Sequence, residues 1–500
     1  MLSRVNLLTW FLVSIVLSRL LTMALVPMMD TTEARYAEIA RIMAETGDWI
    51  TPWFDYGTPF WGKPPLSFWL QALSFRLFGV SEFAARLPSW LANLGMLALI
   101  YHLTLKISGR IQALIAAGIF STIAMSYVLS GAVLTDPFLA LGTTLSLVSF
   151  ILALKQPHSL WCWGFFAGLA IGLLAKGPLA LILTFGPLFL WILWRRSFQG
   201  LSHIPWVRGL LLSALFSLPW YIAAEYKTPG FIDYFIVGEH FMRFIDPGWR
   251  GDLYGSAHQR TYGTIWLYWL EATFPWGIVA IILFIRRWGS IGYRKSISEW
   301  QASHEQRLLL LATFFPSLFF TFSGNILSTY QLPALAPFSV LLATQITSAY
   351  SDTALKKTWP IFIAACIPLL GMLVGVAASF YPEKLKTEKN LVAYYNTHKD
   401  ENSQPLVYLG KPPFSARYYS KGQVTSMALP EVESLMGDRT PVSPMSRYFI
   451  AIRNGNMDKT SPLLSQHIKS VFSNKRYTLF QITHRGKRTS QNEIEQNIAQ

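Results

Sequence analysis

Eleven apolar runs, each close to twenty residues, set the terms for this 500-residue chain: roughly 6–26, 84–105, 111–127, 137–154, 160–175, 178–194, 207–224, 264–285, 308–322, 329–349 and 358–380. A bilayer core needs about 20 residues of helix. Lipid offers nothing to hydrogen-bond a bare backbone, so a run of this kind spans as a helix. The short basic start Met1–Arg4 and the run after it resemble a signal peptide, but the run is long and ten others follow, which points to a retained helix. Charged residues make up 14% of the chain, against about 25% in an average soluble domain. The chain reads as a polytopic α-helical membrane protein with about 11–13 spans, not as a soluble enzyme, a disordered chain or a disulfide scaffold. Its two cysteines, Cys162 and Cys366, lie in apolar stretches without metal or redox spacing.

The formal net charge is +15, and its placement matters more than its sign. With the N-terminus inside, the inner loops hold Lys106 with Arg110, Lys155, Arg195 with Arg196 and Arg208, the stretch Arg286 to Arg307, and Lys356 with Lys357. Nearly all the basic loops fall on that side, so membrane lipids rather than nucleic acid are the expected partners. The opposite side receives loops 28–83 and 225–263 and a polar segment, 381–500. The expected division is a membrane region over 1–380 and a small α/β or β-rich domain over 381–500. Pro405–Leu409, Tyr448–Ile452 and Phe472–Ile482 read as strands, and the last dozen residues as disordered.

The first outer loop carries the most information. In MMDTTEARYAEIARIMAETGDW, Tyr36, Ile39, Ala40 and Met43 share one helical face, and Glu38, Arg41 and Glu45 share the other. This predicts an amphipathic helix on the membrane surface. Asp30 and Glu33 open it in a capping-box pattern, which suits a helix N-terminus and equally suits proton transfer. Next, TPFWGKPPLSFWLQALSFRLFG places Lys63 before Pro64 and Pro65, at the head of a second helix with an apolar face of Leu66, Trp69, Leu70, Leu73 and Leu77. Lys63 is placed either to snorkel or to hold a phosphate at headgroup level.

Other polar groups reach the same side. Asp136 in TDPFLA starts a span, where capping is the plain alternative. Lys176 in LAKGP is isolated among apolar neighbours and needs an anionic partner. Glu239, His240 and Arg243 follow in the second loop. Glu239 and Arg243 have ion-pair spacing, and His240 has no second ligand at metal spacing. Asn325 and Tyr330 come to an outer mouth. Carboxylates beside lysines and an arginine suit group transfer from a lipid phosphate.

At these residues the chain resembles the ArnT-like, protein-mannosyltransferase-related family of GT-C glycosyltransferases over about 1–345. TEARYAEIA is similar to the family's acidic first-loop motif and FWGKPPLSFWLQALSFRLFG to its Lys-Pro-Pro helix. TDPFLA, LAKGP, PWY with PGF and EHFMRF, and STYQLP resemble its later signatures. Thr32 stands where the family motif carries Asp, and Gly62 where the lipid A aminoarabinose enzymes carry an acid. The resemblance implies a GT-C fold with a C-terminal periplasmic domain in the bacterial inner membrane. It also implies a polyprenyl-phosphate sugar as donor and inverting transfer without metal or cofactor. The acceptor implied is lipid A-like or another envelope glycan. The expected roles are Asp30 or Glu33 as base with Asp136 nearby, and Lys63, Lys176 and Arg243 on the donor phosphate. Arg35, Tyr36, Glu239, His240 and Tyr330 are expected at the substrates. The alternatives are a flippase of lipid-linked sugars, disfavoured by spans nearly free of midplane charge, and a protein O-mannosyltransferase-like activity.

Overall fold

The computed structural model describes residues 4–246, 248–255, 258–288, 303–349, 359–400, 403–432, 448–459 and 468–482. The chain forms two compact units. One comprises Met1–Val26 and Ile39–Val376, the other Pro27–Glu38 and Ala377–Gln500.

All eleven apolar runs are helical where described. In the first unit these are α1 (Arg4–Leu25), α4 (Glu82–Ser108), α5 (Arg110–Thr122) with the short α6 (Ala124–Leu129), α7 (Asp136–Lys155), α8 (Trp161–Lys176), α9 (Leu179–Arg195) and α10 (Trp206–Lys227). They continue as α11 (Thr264–Thr273), α12 (Trp276–Trp288), α13 (His304–Phe320), α14 (Leu332–Ala349) and α15 (Trp359–Phe380), whose last residues enter the second unit. Among the described residues, five helices are long and apolar enough to cross a bilayer, and six if α11 and α12 count as one. Two expected spans are broken. The run 111–127 splits at Ile123, whose backbone is extended. The run 264–285 bends by 101° between α11 and α12, at Phe274-Pro275. Pro275 has no amide hydrogen to continue the helix.

The pair α7 and α8 matters most for placing the site. A Cβ on Gly142 would come 2.6 Å from the Gly168 carbonyl, and one on Gly168 would come 2.5 Å from that of Gly142. Only glycines permit so close a backbone approach. Ser146 Oγ adds a 2.8 Å bond to the Phe165 carbonyl. The two helices run antiparallel, so the start of α7 meets the end of α8, and Asp136 is brought beside Lys176.

The two outer-loop helices differ from expectation in what they bury. In α2 (Thr32–Thr46) the apolar face is buried, but so are Glu38 and Arg41, at 1% and 4% exposure. It is therefore an embedded helix, not one lying half in water; Arg41 bonds Glu45 and, at 3.2 Å, Tyr56. In α3 (Leu66–Phe78) the buried side carries Ser67, Phe68, Gln71, Ala72, Ser74 and Phe75. Leu70, Leu73 and Leu77 point outward. An apolar stripe turned away from protein is what a lipid environment favours.

In the second unit, β3 (Val407–Leu409), β4 (Thr425–Met427), β5 (Tyr448–Arg453), β6 (Ile468–Ser473) and β7 (Tyr477–Ile482) form a sheet of order β4-β3-β5-β7-β6. β3 runs parallel to β4 and β5; β7 is antiparallel to β5 and β6. Side chains alternate along β5. Phe449 and Ala451 pack with Leu391, Val392 and Tyr395 of α16 (Lys389–His398), while Ile450 and Ile452 pack with Val407 and Phe480. The expected single strand over Phe472–Ile482 is instead a hairpin, turning at Asn474–Arg476. The last dozen residues, expected to be disordered, lie outside the described residues.

Candidate active site

Lys63 reaches its place through a small hairpin, β1 (Trp53–Asp55) and β2 (Thr58–Pro59), whose turn uses Gly57 at φ +76°. Tyr254 then fixes the aromatic linker. Its hydroxyl donates to the Pro59 carbonyl at 2.8 Å and accepts from the Trp61 amide at 3.0 Å, and its ring lies 4.6 Å from that of Phe60. Lys63 Nζ donates to Glu239 Oε2 at 3.0 Å.

Glu239 and His240 sit on a π-helix, Asp233–Met242, a winding that is rare and concentrated at functional sites. Arg243 follows directly and donates to Glu239 Oε1 at 2.9 Å and Oε2 at 3.1 Å. Asp252, unremarked in the sequence, lies 3.5 Å from the same guanidinium. Burial alone would raise the Glu239 pKa, but Lys63 and Arg243 overrule it and hold the carboxyl at about 2. Burial pushes the His240 imidazole below its usual value. Its ring nitrogens lie 2.7 Å from the Phe235 carbonyl and 3.0 Å from that of Lys176, tying the π-helix to the end of α8.

Lys176 and Asp136 form a buried pair at 2.7 Å. The Lys176 ammonium also lies 4.9 Å from the centre of the Tyr330 ring, within cation–π range. Gly177 next to it has φ +66°, and a Cβ there would meet the Phe235 ring at 2.7 Å, so only glycine fits the turn that ends α8.

Lys63, Lys176, Glu239, His240, Arg243 and Tyr330 line one cavity of about 370 Å³, walled on its apolar side by Leu179, Ile182, Phe319 and Phe320. Six expected residues are thus brought together, and Asp136 joins them through Lys176. The two lysines do not share one protein anion, because each has its own carboxylate. Two cavity-lining residues carry buried donors with no acceptor among the described residues: Arg243 Nε and Asn325 Nδ2. The groups this wall can offer to an acceptor-rich ligand are the Lys63 and Lys176 ammoniums and the Arg243 guanidinium.

The remaining expected residues, Asp30, Glu33, Arg35 and Tyr36, belong to the second unit. Glu33 is half-buried in the first turn of α2. The Arg35 guanidinium lies 5.5 Å from the Tyr36 ring centre. Asp30 is clasped by its own unit: Oδ1 accepts from the Ser415 amide at 2.9 Å, and Oδ2 from Ser415 Oγ and Arg476 Nη2. Sequence reasoning missed Ser415 and Arg476, which lie nearly four hundred residues or more from Asp30.

A family profile described as dolichyl-phosphate-mannose-protein mannosyltransferase matches residues 5–235. Over 391 residues the chain is 29% identical to the undecaprenyl phosphate-alpha-4-amino-4-deoxy-L-arabinose arabinosyl transferase of Shewanella sediminis, covering 77% of this chain and 68% of that one. Over just under half of its length, the chain is thus similar to the protein-mannosyltransferase family. An Erwinia tasmaniensis member of the same name is 30% identical over 62% of this chain and 54% of its own length. The chain therefore matches between about half and two thirds of these relatives. The GT-C fold extends across both units. ArnT from Cupriavidus metallidurans bound to undecaprenyl phosphate superposes with a TM-score of 0.73 at 14% identity, covering 97% of this chain and 99% of that one. The oligosaccharyltransferase of Archaeoglobus fulgidus in its apo form gives 0.53 at 12% identity, covering 93% and 73%. Together with the apolar helices, this likeness gives the chain the fold of a multi-pass membrane protein.

Proposed function

We propose that the protein moves a sugar from a polyprenyl-phosphate donor to a lipid A-like or other envelope acceptor, at the periplasmic face of the bacterial inner membrane. The observation that carries this reading is the cavity wall. Lys63, Lys176 and Arg243 meet there, next to an apolar surface suited to a prenyl chain. The relatives named for an undecaprenyl-phosphate sugar and the ArnT structure bound to undecaprenyl phosphate support the donor class.

In this reading the donor phosphate sits at Lys63 and Arg243, which turn part of their charge from Glu239 toward it. Lys176, held by Asp136, adds positive potential from the other wall. The acceptor nucleophile attacks the anomeric carbon and the carbon–oxygen bond to phosphate breaks. The bonding pair leaves with the polyprenyl phosphate, whose growing charge the cations stabilise. The nucleophile's proton passes to a carboxylate. Glu33 is the proposed base, because it keeps its motif position and Asp30 is committed to Ser415 and Arg476. Arg35 and Tyr36, on the same turn of helix, and His240 and Tyr330 at the cavity are proposed to orient the two substrates.

The test is reconstitution of the full chain in nanodiscs with undecaprenyl-phosphate aminoarabinose and a lipid A acceptor, followed by mass spectrometry. A glycosylated lipid product is expected. Donor translocated without transfer would overturn the reading in favour of a flippase. Transfer only to a hydroxyl-bearing peptide from a mannose donor would favour the protein O-mannosyltransferase reading.

A further inference from the structure

The second unit joins two distant pieces of chain, Pro27–Glu38 and the C-terminal segment. The first piece runs straight into α2, which carries Glu33 two residues after Thr31. Its backbone is fixed at two points: the Met28 amide donates to the Tyr419 hydroxyl at 2.7 Å, and the Asp30 amide to the Lys386 carbonyl at 2.9 Å. The Asp30 side chain is fixed through Ser415 and Arg476. Arg476 Nη2 also donates to Glu388 Oε1 at 2.7 Å, and Asn474 Nδ2 to Glu388 Oε2 at 2.8 Å. Ser415 Oγ accepts from the Glu388 amide at 3.1 Å. Every carboxylate oxygen of Asp30 and Glu388 thus has a partner, and one of these contacts is the main-chain amide of Ser415. Glu388 is fully buried. A buried charge is tolerated only when paired and hydrogen-bonded, and a satisfied network fixes geometry more narrowly than apolar packing does.

We propose that Arg476 and Ser415 are positioning residues for the reaction: they clamp Asp30 so that the first turn of α2 presents Glu33 in one orientation. The assignment rests on the reading of Glu33 as the base. Arg476 spans two acids with one nitrogen, and Ser415 joins the amide of one to the carboxylate of the other. Removing Arg476 releases Asp30 from the hairpin turn that Asn474–Arg476 forms, and removing the Ser415 hydroxyl leaves Asp30 only the Ser415 amide on the helix Phe414–Tyr419. A displacement of about 1 Å at a reacting group is enough to cost about 100-fold in rate.

The experiment uses the full chain in nanodiscs. Arg476→Gln, Ser415→Ala and Asp30→Asn are compared with the parent in kcat, in affinity for undecaprenyl phosphate, in melting temperature and in hydrogen exchange of amides 28–38. We expect kcat to fall by about 10- to 100-fold, with donor affinity within twofold and exchange of 28–38 accelerated. Arg476→Gln combined with Asp30→Asn should lose less than the sum of the two single losses, because the two share one contact. Unchanged kcat in variants that are folded and exchange faster would overturn the clamp. So would kcat loss that merely follows a fall in melting temperature across all three variants. Glu33→Gln is measured in parallel. If it keeps full turnover, the base assignment fails by itself, while the clamp is still decided by kcat and exchange in the other three.

Discussion

Two clusters of buried charge, one in each unit, use the same side-chain types to different ends. Around the cavity, Asp136 and Glu239 are contacted by the tips of Lys176, Lys63 and Arg243, long side chains that can swing. In the second unit, Asp30 and Glu388 are contacted by a serine, an asparagine and an arginine, with the Ser415 amide adding a main-chain bond. Each cluster borders a cavity, of about 370 Å³ at the first and about 240 Å³ at the second; the second ties its carboxylates to main chain and to short side chains as well as to Arg476. Tip-to-tip pairs can exchange a protein carboxylate for a ligand's anion. A network anchored on main chain and short side chains cannot do so without moving the backbone, and that separates a binding site from a fastening.

The largest test of this contrast is at the base. Glu33→Gln should lower turnover by about 10²–10⁴, with the melting temperature nearly unchanged. If Asp30→Asn instead shows that loss while amides 28–38 stay protected, Asp30 is chemistry and the contrast breaks. Next comes the donor site. Lys63→Ala leaves Glu239 with Arg243 and the Tyr234 hydroxyl and should weaken undecaprenyl phosphate binding by about 100-fold, as truncating a buried charge partner does. Isothermal titration would show it, and Arg476→Gln should bind normally in the same assay.

A third test uses pH. Burial pushes Glu388 up to about 7, against the pull of Asn474 and Arg476. Its folded pKa therefore lies above the unfolded value near 4.5, and the folded state holds the proton longer. This favours the folded state fully below about 4.5 and fades as pH rises to about 7, by roughly 3 kcal/mol at most. Glu388→Gln should flatten that part of a stability–pH curve measured by denaturant titration, and Glu239→Gln should leave it in place. The smallest effect is expected at Gly177→Ala. Its positive φ and the nearby Phe235 ring make a methyl cost about 1–3 kcal/mol, read as a lowered melting temperature and a weakened Asp136–Lys176 pair.

Apolar length alone revealed all eleven helical segments, because lipid-facing helices need no long-range information. Hydropathy could not show that the run 264–285 turns through 101°, although Pro275 marks the place. The sense of α3 was equally hidden. Its leucines read as a core-facing stripe only if the surroundings are water, and here the buried face is Ser67, Gln71 and Ser74. Lys63, Lys176, Glu239, His240, Arg243 and Tyr330 were legible as a group because each is a polar residue in an apolar setting on one side. Of their pairings only Glu239 with Arg243, four residues apart, was legible: the partner of Lys176 is forty residues away, and the partners of Asp30 are nearer the other end of the chain.

The π-helix has a genetic consequence. His240 Nδ1 reaches the Phe235 carbonyl, five residues back, in step with the wide winding of Asp233–Met242. A wide turn holds one residue more than an ordinary one, so losing a single codon between 233 and 238 would let the segment relax to an α-helix. Each residue of an α-helix advances about 100°, enough to carry Glu239 away from Lys63. In a deletion library, alleles with one residue removed there should be null while many substitutions at the outward positions survive. The length of this segment, more than its letters, is what inheritance must preserve.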